Sequence, residues 1–244
     1  MIKQFILSAA LLIGATIPSF AWDIDKMNTQ IEETNVIVSE ICSGTIIDQK
    51  KRLVLTAHHC ITDNLREVEK KEVNQQTGEI ERKKVVEKQP MFIETWGRGE
   101  DFDVITQVRY SARIVGWDES SDVAILEVID KSWKPKMEAP LAPDSYEYKR
   151  GKTIFAVGNP GILFDNTVTT GIISAPARAL ELGSGFKVPF FQHSASIIGG
   201  SSGGAIYNDS GELIGTVSAG VRGSDIGLAV PISKTKELLK RLGY

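Results

Sequence analysis

The sequence predicts an all-β protein, a barrel or a sandwich, closed by one helix at its C-terminal end. Three observations carry the prediction. Apolar runs recur at strand length, namely Val36-Ile37-Val38, Thr45-Ile46-Ile47, Leu53-Val54-Leu55, Ile114-Val115, Val123-Ala124-Ile125-Leu126, Thr153-Ile154-Phe155-Ala156-Val157 and Leu213-Ile214-Gly215-Thr216-Val217. Many of their residues are β-branched and fit a pleated, half-buried surface. Gly, Asp, Asn and Pro punctuate the runs closely, the spacing of short strands joined by turns. Ser233 to Leu242 departs from this pattern. A capping Ser opens it, and Leu238, Leu239 and Leu242 fall at helical spacing. Basic residues near its end suit the negative pole of a helix dipole.

The N-terminus reads as an export signal. Lys3 gives a positive start, an apolar run extends from Phe5 to about Ile17, and Pro18 leads into Ser19-Phe20-Ala21. That run is roughly 13 residues, short of the ~18–20 that span a bilayer. An N-terminal anchor helix is the alternative. Trp22 rather than Cys follows the expected cleavage point, which speaks against lipoprotein processing. The expected organisation is a signal peptide over 1–21, an N-terminal segment over 22–35, a β-rich half over 36–135 and a second over 136–244 with the terminal helix. A Lys- and Pro-rich stretch around Lys131 to Pro143 reads as the linker between the halves. Arg66 to Lys88 is dense in charges of both signs, and predicts an extended, solvated hairpin or a loop. No short-period repeat is present.

Composition narrows the function. The 244 residues are 42% hydrophobic and 24% charged, with a formal net charge of −3. An acidic chain without a basic tract lacks the footprint of a nucleic-acid binder. Two Cys and three His exclude a multi-disulfide scaffold and a zinc finger. The expected destination is outside the cytosol, periplasmic or secreted, where disulfides persist. No membrane association is expected after signal cleavage.

The scarce residues sit in telling places. Leu55-Thr56-Ala57-His58-His59-Cys60 puts histidine just after an apolar strand. Ser121-Asp122-Val123-Ala124-Ile125-Leu126 puts an acid at the start of another. Gly200-Ser201-Ser202-Gly203-Gly204 puts serine among glycines, where the backbone can turn tightly. Amide hydrolysis needs these three chemistries. A hydroxyl is a weak nucleophile until a base takes its proton. The base needs a carboxylate to orient it, and the oxyanion needs preorganised N–H donors. His58 competes with His59, and Asp118, Asp101 and Asp103 compete with Asp122. Ser201, Ser194 and Ser196 compete with Ser202. His193 has polar neighbours in sequence that suit a structural or subsite role.

In content and in the order His, Asp, Ser, these segments resemble the chymotrypsin-like serine peptidases. Cys42-Ser43-Gly44-Thr45 is similar to that family's Cys-Gly-Gly-Ser strand, and Gly215-Thr216-Val217-Ser218-Ala219-Gly220 to its Gly-Ile-Val-Ser-Trp-Gly strand. Ala156-Val157-Gly158-Asn159-Pro160-Gly161 and Val168-Thr169-Thr170-Gly171-Ile172-Ile173-Ser174 resemble the HtrA/Deg branch. The resemblance covers roughly residues 36–242. It implies two antiparallel six-stranded β-barrels with the site between them, and His59, Asp122 and Ser202 as the triad. It also implies an oxyanion hole from the N–H groups of Gly200 and Ser202. A Cys42–Cys60 bridge is implied too, closing a loop worth about 3 kcal/mol in the chain-entropy picture; two buried thiols are the alternative.

By the same resemblance Ser196 lies at the base of the primary specificity pocket, with Ser218, Ala219, Gly220 and Gly227 also binding substrate. Without an acid at Ser196, and with Ala219 where the family has Trp, a preference for uncharged residues is expected. Ser201 stands where trypsin-type zymogens carry Asp, which argues against activation by N-terminal insertion. The chain stops at Tyr244 just after the helix, so no PDZ domain and no peptide control through one are expected. No metal or organic cofactor is implied, and the expected partner is a peptide or protein substrate. Oligomeric state is left open. The rival readings are a non-catalytic peptide-binding or chaperone-like protein on the same fold, and an esterase or lipase. The latter's Ser, Asp, His order and strand–elbow–helix context are not found here.

Overall fold

The computed structural model describes residues 23–76, 79–98, 105–181, 185 and 187–244. The signal-peptide reading of 1–21 and the competing acids Asp101 and Asp103 lie outside the described residues. Among the described residues no helix is long and apolar enough to cross a membrane.

The described residues open on a helix that the sequence reading left as an undivided segment, α1 (Ile24–Thr34). Asp23 caps it by accepting the Lys26 N–H at 3.1 Å, and Asp25 sits in its first turn, where the dipole favours an acid. Ile31 is buried, and the Gln30 amide donates to the Gly211 carbonyl at 2.8 Å. The helix therefore docks on the second half of the chain before the first half begins.

Strands β1 (Asn35–Val38), β2 (Cys42–Asp48) and β3 (Leu53–Thr56) follow, then two 3₁₀ turns at His58–Cys60 and Thr62–Asn64. The hairpin β4 (Leu65–Val73) and β5 (Ile80–Lys88) comes next, and after it β6 (Met91–Arg98), β7 (Ile105–Asp118) and β8 (Val123–Val128). Strands β1, β2, β3, β8, β7 and β6 close one six-stranded barrel in that order. The hairpin stays out of it as a separate two-stranded sheet, the extended form its charge density predicts.

The second barrel is built from β9 (Thr153–Gly158), β10 (Thr167–Glu181), β11 (Lys187–His193), β12 (Ala205–Asn208), β13 (Leu213–Val221) and β14 (Ile226–Pro231). Its closed order is β10, β11, β14, β13, β12, β9, and all the pairings within both barrels are antiparallel. The fold is thus all-β and chymotrypsin-like, with a short C-terminal helix, α2 (Ile232–Arg241). Ser233 falls inside that helix rather than capping it; Pro231 holds the cap position.

Period-2 alternation explains why β3 and β8 read as unbroken apolar runs. On β3, Val54 points into the first barrel with Ala124 and Leu126 of β8. Leu53 and Leu55, with Val123 and Ile125, point the other way and join the second barrel's core, where Phe191, Val217 and Leu238 also lie. Both faces of these strands are dry, so neither needs polar residues. The two barrels and α2 therefore share one continuous apolar seam, and the residues at the ends of β3 and β8 are placed along it.

Candidate active site

β3 ends at Thr56, and the 3₁₀ turn that follows presents His59. β8 starts at Val123, and Asp122 before it takes a left-handed backbone (φ 52°, ψ 45°). Aspartate tolerates that conformation better than most side chains. Because β3 and β8 are ladder neighbours, with Thr56 opposite Ala124, the two residues meet at one end of the pair. Nδ1 of His59 lies 3.0 and 3.1 Å from the two Asp122 oxygens, and the His59 backbone N–H donates to Oδ1 at 2.9 Å. A disulfide joins Cys42 at the start of β2 to Cys60, tying the histidine's turn to the neighbouring strand.

Ser218 completes this corner. Its hydroxyl donates to Asp122 Oδ2. The register between β13 and β14 runs Val217 to Ala229 and then Ala219 to Leu228, so Ser218 is the extra residue of a β-bulge. Bulges beside functional sites re-aim a side chain. Here the bulge turns Ser218 from the ladder toward the carboxylate, a role beyond the substrate contact expected for it.

The electrostatics follow from these contacts. Burial works against the Asp122 anion, but the bonds from His59 and Ser218 and the nearby imidazole outweigh it, holding the carboxyl below its ordinary range. Burial likewise works against the His59 cation, and Asp122's bond and charge reverse that, raising His59 above its ordinary value. The competing residues have other partners. His58 is buried, stacks on Trp117 at 6.5 Å, and is lowered by that burial. Asp118 accepts from Ser120 at 2.6 Å and from Arg241 of α2 at 3.0 Å.

Ser202 comes from the second barrel, in the loop before β12. Its hydroxyl donates to the Ser218 carbonyl at 3.4 Å and, among the described residues, makes no hydrogen bond to His59. That bond is long, near the limit of a hydrogen bond. A nucleophile–base contact commonly tightens only when substrate arrives.

The loop's amides are already directed. The Gly161 N–H donates to the Gly199 carbonyl at 2.7 Å, and the Gly204 N–H donates to the Ser201 carbonyl at 3.0 Å. Every peptide bond here is trans, so the Gly200 and Ser202 N–H groups point opposite those carbonyls. Gly200 has φ +95°, and a Cβ there would lie 2.5 Å from the Asn159 carbonyl oxygen. Only glycine satisfies both conditions.

The remaining expected contacts divide. Ser196 is exposed, its carbonyl accepts the Thr169 hydroxyl at 2.7 Å, and with Thr169, Ile197 and Val217 it lines a small pocket. Ile197 packs toward β13, its Cγ1 3.2 Å from where a Gly220 Cβ would sit. Gly220 pairs with Gly227, and Gly227 with His193. The His193 imidazole fills the space beside Gly227 that a side chain there would need. His193 is fully buried, with no hydrogen-bonded ring nitrogen, and burial pushes it down to about 4. The ladder from β12 to β13 ends at Thr216, the loop before β12 meets Val217 and the Ser218 carbonyl, and Ala219–Val221 beyond them pair only with β14 among the described residues. Cys42, His59 and Cys60 cluster within 4.8 Å, but both sulfurs are spent in the disulfide and offer no thiolate to a metal.

Comparison with known proteins bears on the same region. Residues 42–215 match the trypsin-like peptidase domain. The chain is 38% identical over 121 residues to the serine protease Do-like HtrA of Lactobacillus helveticus, covering 49% of this chain and 29% of that one. It is 38% identical over 142 residues to a serine protease HtrA-like protein of Staphylococcus haemolyticus, covering 54% and 22%. A probable periplasmic serine endoprotease DegP-like of Rhizobium meliloti is 36% identical over 150 residues, covering 59% and 29%. The chain therefore spans less than a third of the length of these relatives.

Proposed function

The chain belongs to the trypsin-like peptidase family, and from that premise we propose that it is an exported serine endopeptidase working by a His59–Asp122–Ser202 triad. The observation that carries the reading is the convergence of an Asp-oriented imidazole from one barrel with a glycine-framed serine from the other. In the proposed cycle, His59 takes the Ser202 proton as Oγ attacks the scissile carbonyl. The Gly200 and Ser202 N–H groups receive the oxyanion. Collapse of the intermediate expels the amine, which leaves with the proton from His59, and water then cleaves the acyl-enzyme by the reverse proton route. Asp122 stays ionised and steadies the imidazolium. The β13 edge over Ala219–Val221, opposite β14, offers backbone groups to an extended peptide. Ile197, Ala219, Gly220 and Gly227 carry no charge, which supports cleavage after uncharged residues. Export is supported by the N-terminal sequence and by the periplasmic designation of relatives such as that of R. meliloti.

The Ser202–Ser218 bond favours a second reading, a peptide-binding protein on the same fold with an idle serine. One experiment separates the two. Labelling by a fluorophosphonate at Ser202, with casein cleavage abolished in Ser202→Ala, is the expected result. A wild-type chain that binds peptide but neither labels nor cleaves would establish the second reading. A peptide library cut solely after Lys or Arg would overturn the uncharged preference.

A further inference from the structure

The four consecutive carbonyls of the loop around the nucleophile are all engaged, and two of them by one residue of the other barrel. Gly199 and Ser201 are held by Gly161 and Gly204, as described. The Gly200 carbonyl accepts the Ser43 hydroxyl at 2.7 Å, and the Ser202 carbonyl accepts the Ser43 backbone N–H at 2.7 Å. Ser43 lies on β2 next to the disulfide, and none of its surface reaches solvent.

The direction of the Ser43 hydroxyl is fixed by its supply of partners. A serine hydroxyl has one hydrogen and two lone pairs. Asn159 fills the acceptor side, with its backbone N–H at 2.8 Å and its Nδ2–H at 3.2 Å. The one hydrogen is left for Gly200. Asn159 is itself fully buried and oriented on both sides of its amide. Nδ2 also donates to the Val36 carbonyl at 2.9 Å, while Oδ1 accepts from Asn35 Nδ2 at 2.8 Å and the Asn166 N–H at 3.1 Å. Asn35 starts β1, directly after α1. A chain of buried bonds thus runs from the first barrel, through the end of β9, to the loop before β12.

We propose that Ser43, set by Asn159, is a positioning residue for the oxyanion loop: it clamps the peptide groups on either side of the one that carries the Ser202 N–H. Freed of the hydroxyl, the 200–201 peptide keeps only its Ser201 N–H bond to the Ile198 carbonyl at 3.0 Å and can swing about it, taking the Ser202 amide off the line of the developing oxyanion. Ground-state peptide binding, made at the β13 edge, does not use this bond. The proposal rests on the serine-peptidase reading above.

The test compares Ser43→Ala with Ser43→Thr, which keeps a hydroxyl, and with Asn159→Asp. The aspartate accepts the Ser43 hydrogen instead of feeding its lone pairs, so it should turn the hydroxyl away from Gly200. Each is assayed below its own thermal midpoint for kcat, KM, inhibition by a peptide boronic acid, which forms a tetrahedral adduct, and inhibition by a non-covalent product peptide. For Ser43→Ala and Asn159→Asp the expected result is a ten- to hundredfold fall in kcat, with boronic acid affinity lost by the same factor. KM and product-peptide affinity should stay within about twofold, and Ser43→Thr should recover most of the loss. Wild-type kcat and boronic acid affinity in Ser43→Ala, or a fall shared equally by product-peptide binding, overturns the proposal. If Ser43→Ala does not accumulate folded, Asn159→Asp decides by the same criteria. A wild-type chain that fails to label at Ser202 would instead refute the peptidase reading, so the two failures are distinguishable.

Discussion

Ser218 and His193 show how differently two buried polar residues can be used. Ser218 gives its proton to the Asp122 carboxylate and its carbonyl to Ser202. A hydrogen bond to a charged group is worth about 1.5–3 kcal/mol. Ser218→Ala should therefore lower kcat/KM at least about tenfold while leaving the barrel intact. An equal loss in Ser218→Thr, which keeps the hydroxyl, would deny the residue this part. His59 is raised above its ordinary value of about 6.5 by Asp122. Catalysis needs the neutral imidazole, so kcat/KM should rise with pH through a midpoint above about 6.5. In Asp122→Asn that midpoint should move down as the rate falls by orders of magnitude, and a pH–rate series checks both. His193 is the opposite case. Its folded value, about 4, lies below its unfolded one, so the unfolded chain binds the extra proton. Stability is complete above about pH 6.5 and declines as pH falls toward 4. Unfolding free energies from urea titrations at pH 7.5 and 5 should differ by about 2 kcal/mol in wild type, and by less in His193→Met.

At the scale of elements, the β4–β5 hairpin and the loop before β12 are opposites. The hairpin's register sets Lys70 opposite Lys83 and Lys71 opposite Arg82. Like charges facing across a ladder are unfavourable, and exposed ion pairs such as Lys70–Glu87 return little. The hairpin contributes no strand to either barrel. Replacing residues 66–87 by a short turn should leave the thermal midpoint within a few degrees and small-peptide kcat/KM within about twofold. A collapse of either would show that the hairpin supports the site. The loop before β12 has no regular structure yet is held at each of its four carbonyls.

This contrast also separates what the sequence reveals from what it conceals. The strands beside His59 and Asp122 were legible because rare residues stood beside apolar runs of strand length, whereas Ser202 stood out by its glycines and the strand after it, β12, was not read. The hairpin was legible from its charge density alone. Helix α1 was less so, since its evidence is a modest cap at Asp23 and one buried Ile31. Ser43 and Asn159 were quoted within motifs but carried no visible role, because the Gly200 partner of the Ser43 hydroxyl lies 157 residues away and the Ser43 and Val36 partners of Asn159 lie 116 and 123 away. For Ser196, counting back from Ser202 gives only a position along the chain, and the bond its carbonyl accepts from the Thr169 hydroxyl, 27 residues away, is not visible there.

Taken whole, the molecule places the proposed base and acid on one closed barrel and the proposed nucleophile on the other, joined through the seam of Leu53, Leu55, Val123 and Ile125. Leu55→Ala, at a fully buried seam position three residues before the turn that carries His59, should cost about 2–5 kcal/mol, measurable by denaturant unfolding. Because the proposed nucleophile and the His59–Asp122 pair are carried on opposite sides of the seam, catalysis becomes a gauge of alignment between two bodies that each hold their own ladders. A denaturant concentration that lets the barrels slip by an ångström, with all strands still paired, should silence turnover before circular dichroism registers any loss of β-structure.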